Sequence, residues 1–294
     1  MTRFASFRPI LLLRVAVTLV IVALAIVAGQ RLWTHYEVDP WTRDGRIRAD
    51  VVQVAPDVSG LVTRVLVHDN QRVAAGTPLF EVDRPRYQLA VSQAEAAMTA
   101  QLVQLAQARR EARRNVALGD LVAGEVREQG LAHVEQLDAA LAQARVALAT
   151  ARLNLQRTKV RAGVAGTVTN LDLRPGDYAS AGRPEFAIID RGSFHIIGYF
   201  EETKLPRIHV GDAVEVRLMG DDRPIRGHVQ SIAGGIEERD RTQGANLLAN
   251  VNPTFSWVRL AQRIPVRVAI DRLPAGEELV VGRTATVVVQ EHHA

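Results

Sequence analysis

The sequence predicts a mixed α and β chain of modular build: an apolar N-terminal helix, a β-domain divided by a long helical insertion, and a β-rich C-terminal third. Three observations predict it. One uninterrupted apolar run lies near the N-terminus, two β-patterned segments 106 residues apart repeat each other, and the 76 residues between them almost lack Gly and Pro.

The N-terminal run comes first. From Ile10 to Ala28 every residue is apolar except Arg14 and Thr18, close to the ~20 residues that span a bilayer core. A cleaved signal peptide is the rival reading. Its apolar region is shorter, about 7–15 residues, and ends in small residues at an A-x-A-like site. Here the end reads Ala25-Ile26-Val27-Ala28-Gly29-Gln30, with bulky Ile26 where a small side chain is wanted, so the run reads as an uncleaved anchor. Trp33, Tyr36 and Trp41 follow, as expected of an aromatic belt at a membrane interface. Arg3 and Arg8 precede the run while Arg31, Arg43, Arg46 and Arg48 follow it, so positive charge does not orient it.

The repeat pairs Val54–Phe80 with Val160–Phe186 without gaps, nine identities in 27 positions. Among the identical pairs are Gly60/Gly166, Gly76/Gly182 and Pro78/Pro184, residue types that mark turns because they free or fix φ. Gly60, Gly76, Gly166 and Gly182 are therefore expected to be structural turns. Between them, alternation such as Leu61-Val62-Thr63-Arg64-Val65 predicts strands. A small β-fold of two matching halves accounts for the pattern.

The insertion, Arg84 to Lys159, is rich in Ala, Gln, Leu, Arg and Glu, a strong helix-forming composition. Tyr87, Val91, Ala94, Met98, Gln101, Leu105 and Ala108 keep a 4-3 spacing. Val134, Leu137, Leu141, Ala144, Leu148, Ala151 and Leu155 keep it again, the seam of a coiled coil. The pattern breaks at Leu118-Gly119-Asp120, where the turn of an antiparallel hairpin belongs. Arms of about 33 residues reach roughly 50 Å, and Gly130 weakens the second arm by about 1 kcal/mol relative to Ala.

Composition excludes more than it selects. Cysteine is absent, which removes disulfides and thiolate chemistry, and a net charge of +4 without a basic stripe argues against nucleic acid. The basic residues are almost all Arg, with Lys159 and Lys204 the only lysines. No phosphate loop, nucleophile elbow or zinc-protease string occurs. Glu201-Glu202, Asp221-Asp222 and Glu237-Glu238 are adjacent carboxylates, which a strand points to opposite faces, and His292-His293 fall in the tail. No catalytic residue, cofactor or metal site is expected. A modifiable carrier lysine would sit on a tight turn between the halves, but the hairpin occupies that place and Lys159 lies at its base.

A two-half β-domain interrupted by a helical hairpin resembles the HlyD-type periplasmic adaptors, or membrane fusion proteins. The resemblance rests on Val54-Ala55-Pro56-Asp57-Val58-Ser59-Gly60, Asn70-Gln71-Arg72-Val73, Arg157–Ala162, Gly166-Thr167-Val168 and Arg174-Pro175-Gly176-Asp177, and covers nearly the whole chain. Longer strings are similar to adaptors of p-hydroxybenzoic acid (aromatic carboxylic acid) efflux: Pro40–Asp44, Gly198–Leu205 and Val251–Pro265. The family's fold is elongated and modular: a transmembrane helix, a split lipoyl/biotinyl-like β-domain with an inserted antiparallel coiled-coil hairpin, and a C-terminal β-barrel. That implies residues 1–9 as a cytoplasmic tail, 10–29 as a transmembrane anchor and 30–53 as linker and first strand. It makes 54–83 the first lipoyl half, 84–159 the hairpin, 160–190 the second half, 191–289 the barrel and 290–294 a tail. The alternations at Val214, Val216 and Leu218, at Ile264, Val266, Val268 and Ile270, and at Ala285, Val287 and Val289 agree with that barrel. Pro265 suggests an edge or bulge, and Arg46–Val54 either joins the barrel or leads into the first half.

The resemblance also implies the role: a non-enzymatic adaptor in the inner membrane with its bulk in the periplasm. It would form a homo-oligomeric ring, expected to be a hexamer, coupling an inner-membrane transporter to an outer-membrane channel. The partner-binding residues would be those of the hairpin tip, Arg113, Arg114, Leu118, Gly119, Asp120 and Leu121. Arg109, Arg110, Arg113 and Arg114 form two adjacent basic stripes just before the turn, suited to an acidic channel mouth. Related adaptors carry Arg-x3-Leu-x6-Ser there. Arg114 and Leu118 fit, but the third place holds Glu125, or Gly124 if the register shifts, in place of Ser. Protein-secretion adaptors and a plain envelope tether are the alternatives.

Overall fold

The computed structural model describes residues 8–33, 36, 39–221, 223–236, 261–274 and 276–290, with backbone alone at 8–12 and 120. In chain order the elements are α1 (Arg8–Trp33), β1 (Trp41–Arg48), β2 (Val51–Val54), β3 (Gly60–Val65), β4 (Arg72–Val73) and β5 (Pro78–Val82). The hairpin follows as α2 (Arg84–Ala117) and α3 (Gly124–Arg157). Then come β6 (Lys159–Arg161), β7 (Gly166–Thr169), β8 (Tyr178–Ala179), β9 (Phe186–Asp190) and β10 (His195–Glu201). The chain closes with β11 (Ala213–Leu218), β12 (Ile225–Ile232), β13 (Arg263–Arg272) and β14 (Thr284–Val289). Backbone contacts separate residues 50–192 from a second unit made of residues 1–49 and 193–294.

In residues 50–192 the repeat determines the topology. The shift that relates the halves carries β2 onto β6, β3 onto β7, β4 onto β8 and β5 onto β9. One sheet runs β2-β9-β7-β4 and the other β6-β5-β3-β8, and that shift converts one order into the other. Each sheet takes two strands from each half: β3 pairs with β5 and β7 with β9 inside one half, but β2, β4, β6 and β8 pair only with strands of the other. Val62, Leu79, Phe80, Val82, Val168, Phe186 and Ile188 fill the shared core.

The glycines divide differently from the expectation that all four mark turns. Gly76 and Gly182 have φ of +81° and +76°, a conformation that side chains with a Cβ adopt at a cost. Gly60 and Gly166 instead open β3 and β7, buried, with no positive φ. Their constraint is space. A Cβ on Gly60 would lie 2.8 Å from Asp83 Cβ, and one on Gly166 would overlap the Ile189 carbonyl oxygen.

The hairpin leaves this domain at Asp83, whose left-handed φ of 33° turns the chain out of β5, with Pro85 in the first helical turn. Each helix has 34 residues. The expected seam is the less exposed face: Leu105, Ala108 and Ala112 of α2 and Leu141 and Leu148 of α3 are buried. Gly130 faces Ala112, and a Cβ there would sit 3.8 Å from the Ala112 Cα, ordinary contact. Arg152 reaches Glu95 at 2.8 Å and Arg109 reaches Asp138 at 3.0 Å, tying the helices at two levels. At the root, Glu81 is 4% exposed and meets Arg64 at 2.7 Å and Lys159 at 3.5 Å.

In the other unit six strands close a barrel in the order β1-β10-β13-β12-β11-β14. Alternate residues point inward, so Ile47, Ile196, Phe200, Val216, Val229, Val266, Val268 and Val287 form its core. The segment Arg46–Val54 does both things considered for it: β1 pairs with β10 and β14 in the barrel, while β2 pairs with β9 in the split domain. A closed barrel has no edge for Pro265. It pairs in register with Tyr199 of β10, one residue outside the β12 ladder, which begins at Val266. There the missing N–H costs no rung between β12 and β13.

Candidate functional site

The hairpin tip is built where the seam runs out. Leu118 caps α2 with its N–H donating to the Arg114 carbonyl, Gly119–Leu121 form a single 3-10 turn, and Ala123 precedes α3. Gly119 takes φ of +55°, which lets the chain reverse within this turn. Asp120 lies in it. The apolar side chains face solvent, Leu121 87% and Leu118 43% exposed.

The tip arginines are not equivalent. Arg109 is neutralised by Asp138 of the opposite helix, a partner that spacing within one helix could not reveal. Arg110 donates to the Gln107 side chain at 2.6 Å and Arg113 to the Arg109 carbonyl at 3.2 Å. Among the described residues, no carboxylate lies within ion-pair distance of Arg110, Arg113 or Arg114. Below the turn a groove of about 310 Å³ opens between the helices, lined by Arg109, Arg113, Ala112, Val116, Leu131 and Val134. Among the described residues, the tip thus sets arginines without carboxylate partners near exposed leucines.

A second cleft, of about 540 Å³, lies at the barrel and gathers strings that are far apart in sequence. Trp41, Thr42, Arg43 and Asp44 come from the start of β1, Tyr199 and Glu201 from β10, Lys204 from the turn after it, and Arg263 from β13, with Tyr36 completing the wall. The Thr42 hydroxyl donates to the Tyr199 carbonyl at 2.8 Å, and Arg263 holds Asp44 at 2.6 Å. Tyr36 and Trp41 meet edge to face at 6.0 Å. Lys204, 7% exposed, places its ammonium 5.3 Å from the Trp41 ring centre and donates to the Tyr36 carbonyl at 3.2 Å. The Arg43 guanidinium lies 5.4 Å from the same ring. Both distances are within cation–π range.

Two carboxylates away from these sites, Glu81 and Asp221, are held by arginines. Hydrogen bonds from Arg64 hold the Glu81 carboxyl below its usual range against the opposing effect of burial, helped by the charges of Arg64 and Lys159. Lys159 is therefore a member of an ion cluster at the hairpin root. Asp221 is claimed by Arg223, whose side chain and backbone donate to it and keep it ionised well below the ordinary carboxylate range. Glu237-Glu238, His292-His293 and the string from Val251 to Leu260 lie outside the described residues. Among the described residues no group of three His, Asp or Glu is spaced to hold a metal ion.

The fold is thus modular: a two-sheet domain with a helical hairpin between its halves, and a six-stranded barrel. Residues 50–191 match the model of the barrel-sandwich hybrid domain of RND membrane fusion proteins, and residues 193–290 match that of the AAEA-like β-barrel domain. The uncharacterized protein YdhJ of Escherichia coli (strain K12) is 40% identical over 273 residues, 92% of this chain and 96% of that protein. The membrane fusion protein Spr0693 from Streptococcus pneumoniae R6 has the same fold, with a TM-score of 0.64 at 17% identity over 85% of this chain and 98% of that one. MacA from Actinobacillus actinomycetemcomitans gives 0.61 at 16% identity over 86% and 82%. The chain belongs to the membrane fusion protein family, the HlyD-type adaptors.

Proposed function

We propose that this chain is the periplasmic adaptor subunit of a tripartite efflux pump for aromatic carboxylic acids. In this reading α1 is an uncleaved inner-membrane anchor with residues 1–9 in the cytoplasm. Its stretch Leu13–Trp33 is 21 residues long with a mean hydropathy of 2.2, so it reaches about 31 Å, the thickness of a bilayer core. None of the most apolar window is covered by protein, and leaving it in water would forgo about 25 cal/mol for every Å² of apolar surface.

The observation that carries the reading is the hairpin tip. A turn that exposes 87% of Leu121 near Arg110, Arg113 and Arg114, which have no carboxylate within ion-pair distance among the described residues, is suited to being covered by something apolar with an acidic rim. The 34-residue helices hold that tip about 50 Å from their root. The ring of copies, expected to be a hexamer, would hold an inner-membrane transporter and an outer-membrane channel in line. Transport energy would come from the transporter. The adaptor contributes alignment and a seal, and performs no chemistry of its own.

The aromatic-acid cargo rests on the strings Pro40–Asp44, Gly198–Leu205 and Val251–Pro265. Cells lacking this chain and challenged with p-hydroxybenzoate should accumulate more of the labelled acid than cells carrying it, with the transporter present in both. Equal accumulation would remove the cargo assignment and leave the adaptor role standing.

A further inference from the structure

The cleft beside β1 has a feature that an adaptor role does not use. Lys204 is a buried cation whose partners are a backbone carbonyl and an aromatic ring, and Arg43 is a second cation within reach of that same ring. Among the described residues no carboxylate lies within ion-pair distance of either. Asp44 is already taken by Arg263 at 2.6 Å. The lining carries three cations against two carboxylates, so one negative charge would complete it.

Position says which anion that is. Tyr36, part of the wall, follows the last residue of α1, Trp33, by three positions, a reach of at most ~11 Å. The headgroup layer beyond a bilayer core is roughly 6 Å deep on each side. With α1 inserted, Tyr36 lies no more than ~11 Å beyond the bilayer core, within reach of the lipid phosphates. Trp41 and Tyr36 add the amphipathic rings that settle at that depth.

We propose that this cleft binds the headgroup of an anionic phospholipid, its phosphate between Arg43 and Lys204 and its glycerol against Trp41. The proposal rests on the anchor reading above. It assigns the buried lysine a purpose: the lipid fixes the barrel against the membrane surface, so that the anchor does not swivel freely beneath it.

The test uses the full chain extracted from membranes, with native mass spectrometry counting retained phosphatidylglycerol against phosphatidylcholine. The wild type should retain phosphatidylglycerol preferentially. Arg43→Gln and Lys204→Met should each reduce that preference about fivefold, the usual contribution of one basic residue at an anionic surface. Arg46→Gln, an equal loss of charge on β1 outside the cleft lining, should reduce it clearly less than either cleft variant. A loss at Arg46 equal to that at Arg43 would mean diffuse attraction and overturn the site. Displacement of the lipid by millimolar inorganic phosphate or by p-hydroxybenzoate would reassign the cleft to a free anion. Should Lys204→Met fail to fold in a parallel melting curve, the exposed Arg43→Gln decides alone. Intact mass and carbonate extraction separate the two readings. A chain cleaved near residue 28 ends the anchor and this proposal together, while an intact, membrane-retained chain indifferent to both substitutions ends this proposal only.

Discussion

Phe80 and Phe186, equivalent positions in the two halves of the split domain, meet edge to face with ring centres 5.8 Å apart. Phe80 is fully buried and Phe186 5% exposed. The phenylalanine that each half contributes to the core is thus packed against its own counterpart, and the hairpin must leave and return before that contact can form.

Truncation of either ring should therefore be costly. Phe80→Ala and Phe186→Ala should each lower stability by about 3–5 kcal/mol, the range for a buried aromatic. Because the rings touch, the double variant should lose less than the sum. Denaturant unfolding of the three variants checks this; strict additivity would mean that the halves pack independently.

Gly166 and Gly182 should respond differently to the same methyl group. Gly182→Ala meets open space and positive φ, a strain of about 1 kcal/mol. Gly166→Ala forces a Cβ against the Ile189 carbonyl, so β7 and β9 must part and the loss should exceed about 2 kcal/mol. Melting curves that rank them in the opposite order would contradict the strand placement.

The ion cluster at the hairpin root should be visible in pH dependence. Folding lowers the Glu81 pKa from its ordinary 4.5, chiefly through Arg64. Its contribution to stability is therefore present above that value and is lost as pH falls through the lower, folded value. Melting temperature should drop more steeply below pH 5 in the wild type than in Glu81→Gln, although the variant starts lower at pH 7. Parallel curves would show that the cluster does not couple to folding.

Gly130→Ala should stabilise the hairpin. The new Cβ meets Ala112 and Asn115 at 3.8–3.9 Å without displacing them, and Ala is favoured over Gly in a helix by about 1 kcal/mol. A lower melting temperature would mean that the helices approach more closely than the seam indicates.

What could be read from sequence was whatever repeats with a fixed period. The seam from Tyr87 to Ala108 and from Val134 to Leu155 is a helical period, and the alternation in β11, β13 and β14 is a strand period. The shift from Val54 to Val160 likewise carried the internal symmetry of the sheets. Gly60 and Gly166 were misread because glycine marks both positive φ and close approach, and only three-dimensional neighbours distinguish them. Asp138 opposite Arg109, 29 residues away, and Lys204 beneath Trp41 are contacts across distant segments that no local pattern announces. The cleft was nonetheless foreshadowed, because the unusual strings Pro40–Asp44 and Gly198–Leu205 turn out to supply most of its wall.

The central claim is that the hairpin tip docks on an outer-membrane channel, and one measurement tests it most directly. A photo-crosslinking residue at Leu121 in the full chain, irradiated in living cells, should yield one predominant adduct, whose mass spectrum identifies an outer-membrane channel protein. Arg113→Glu with Arg114→Glu in the same chain should reduce that adduct several-fold, more so at low salt, where exposed charges are less screened. The melting curve and membrane retention should stay unchanged. An abundant, membrane-retained chain that gives no outer-membrane adduct from Leu121 would contradict the account. An adduct of full yield in the doubly reversed variant would leave the docking to Leu118 and Leu121 and remove the arginines from it.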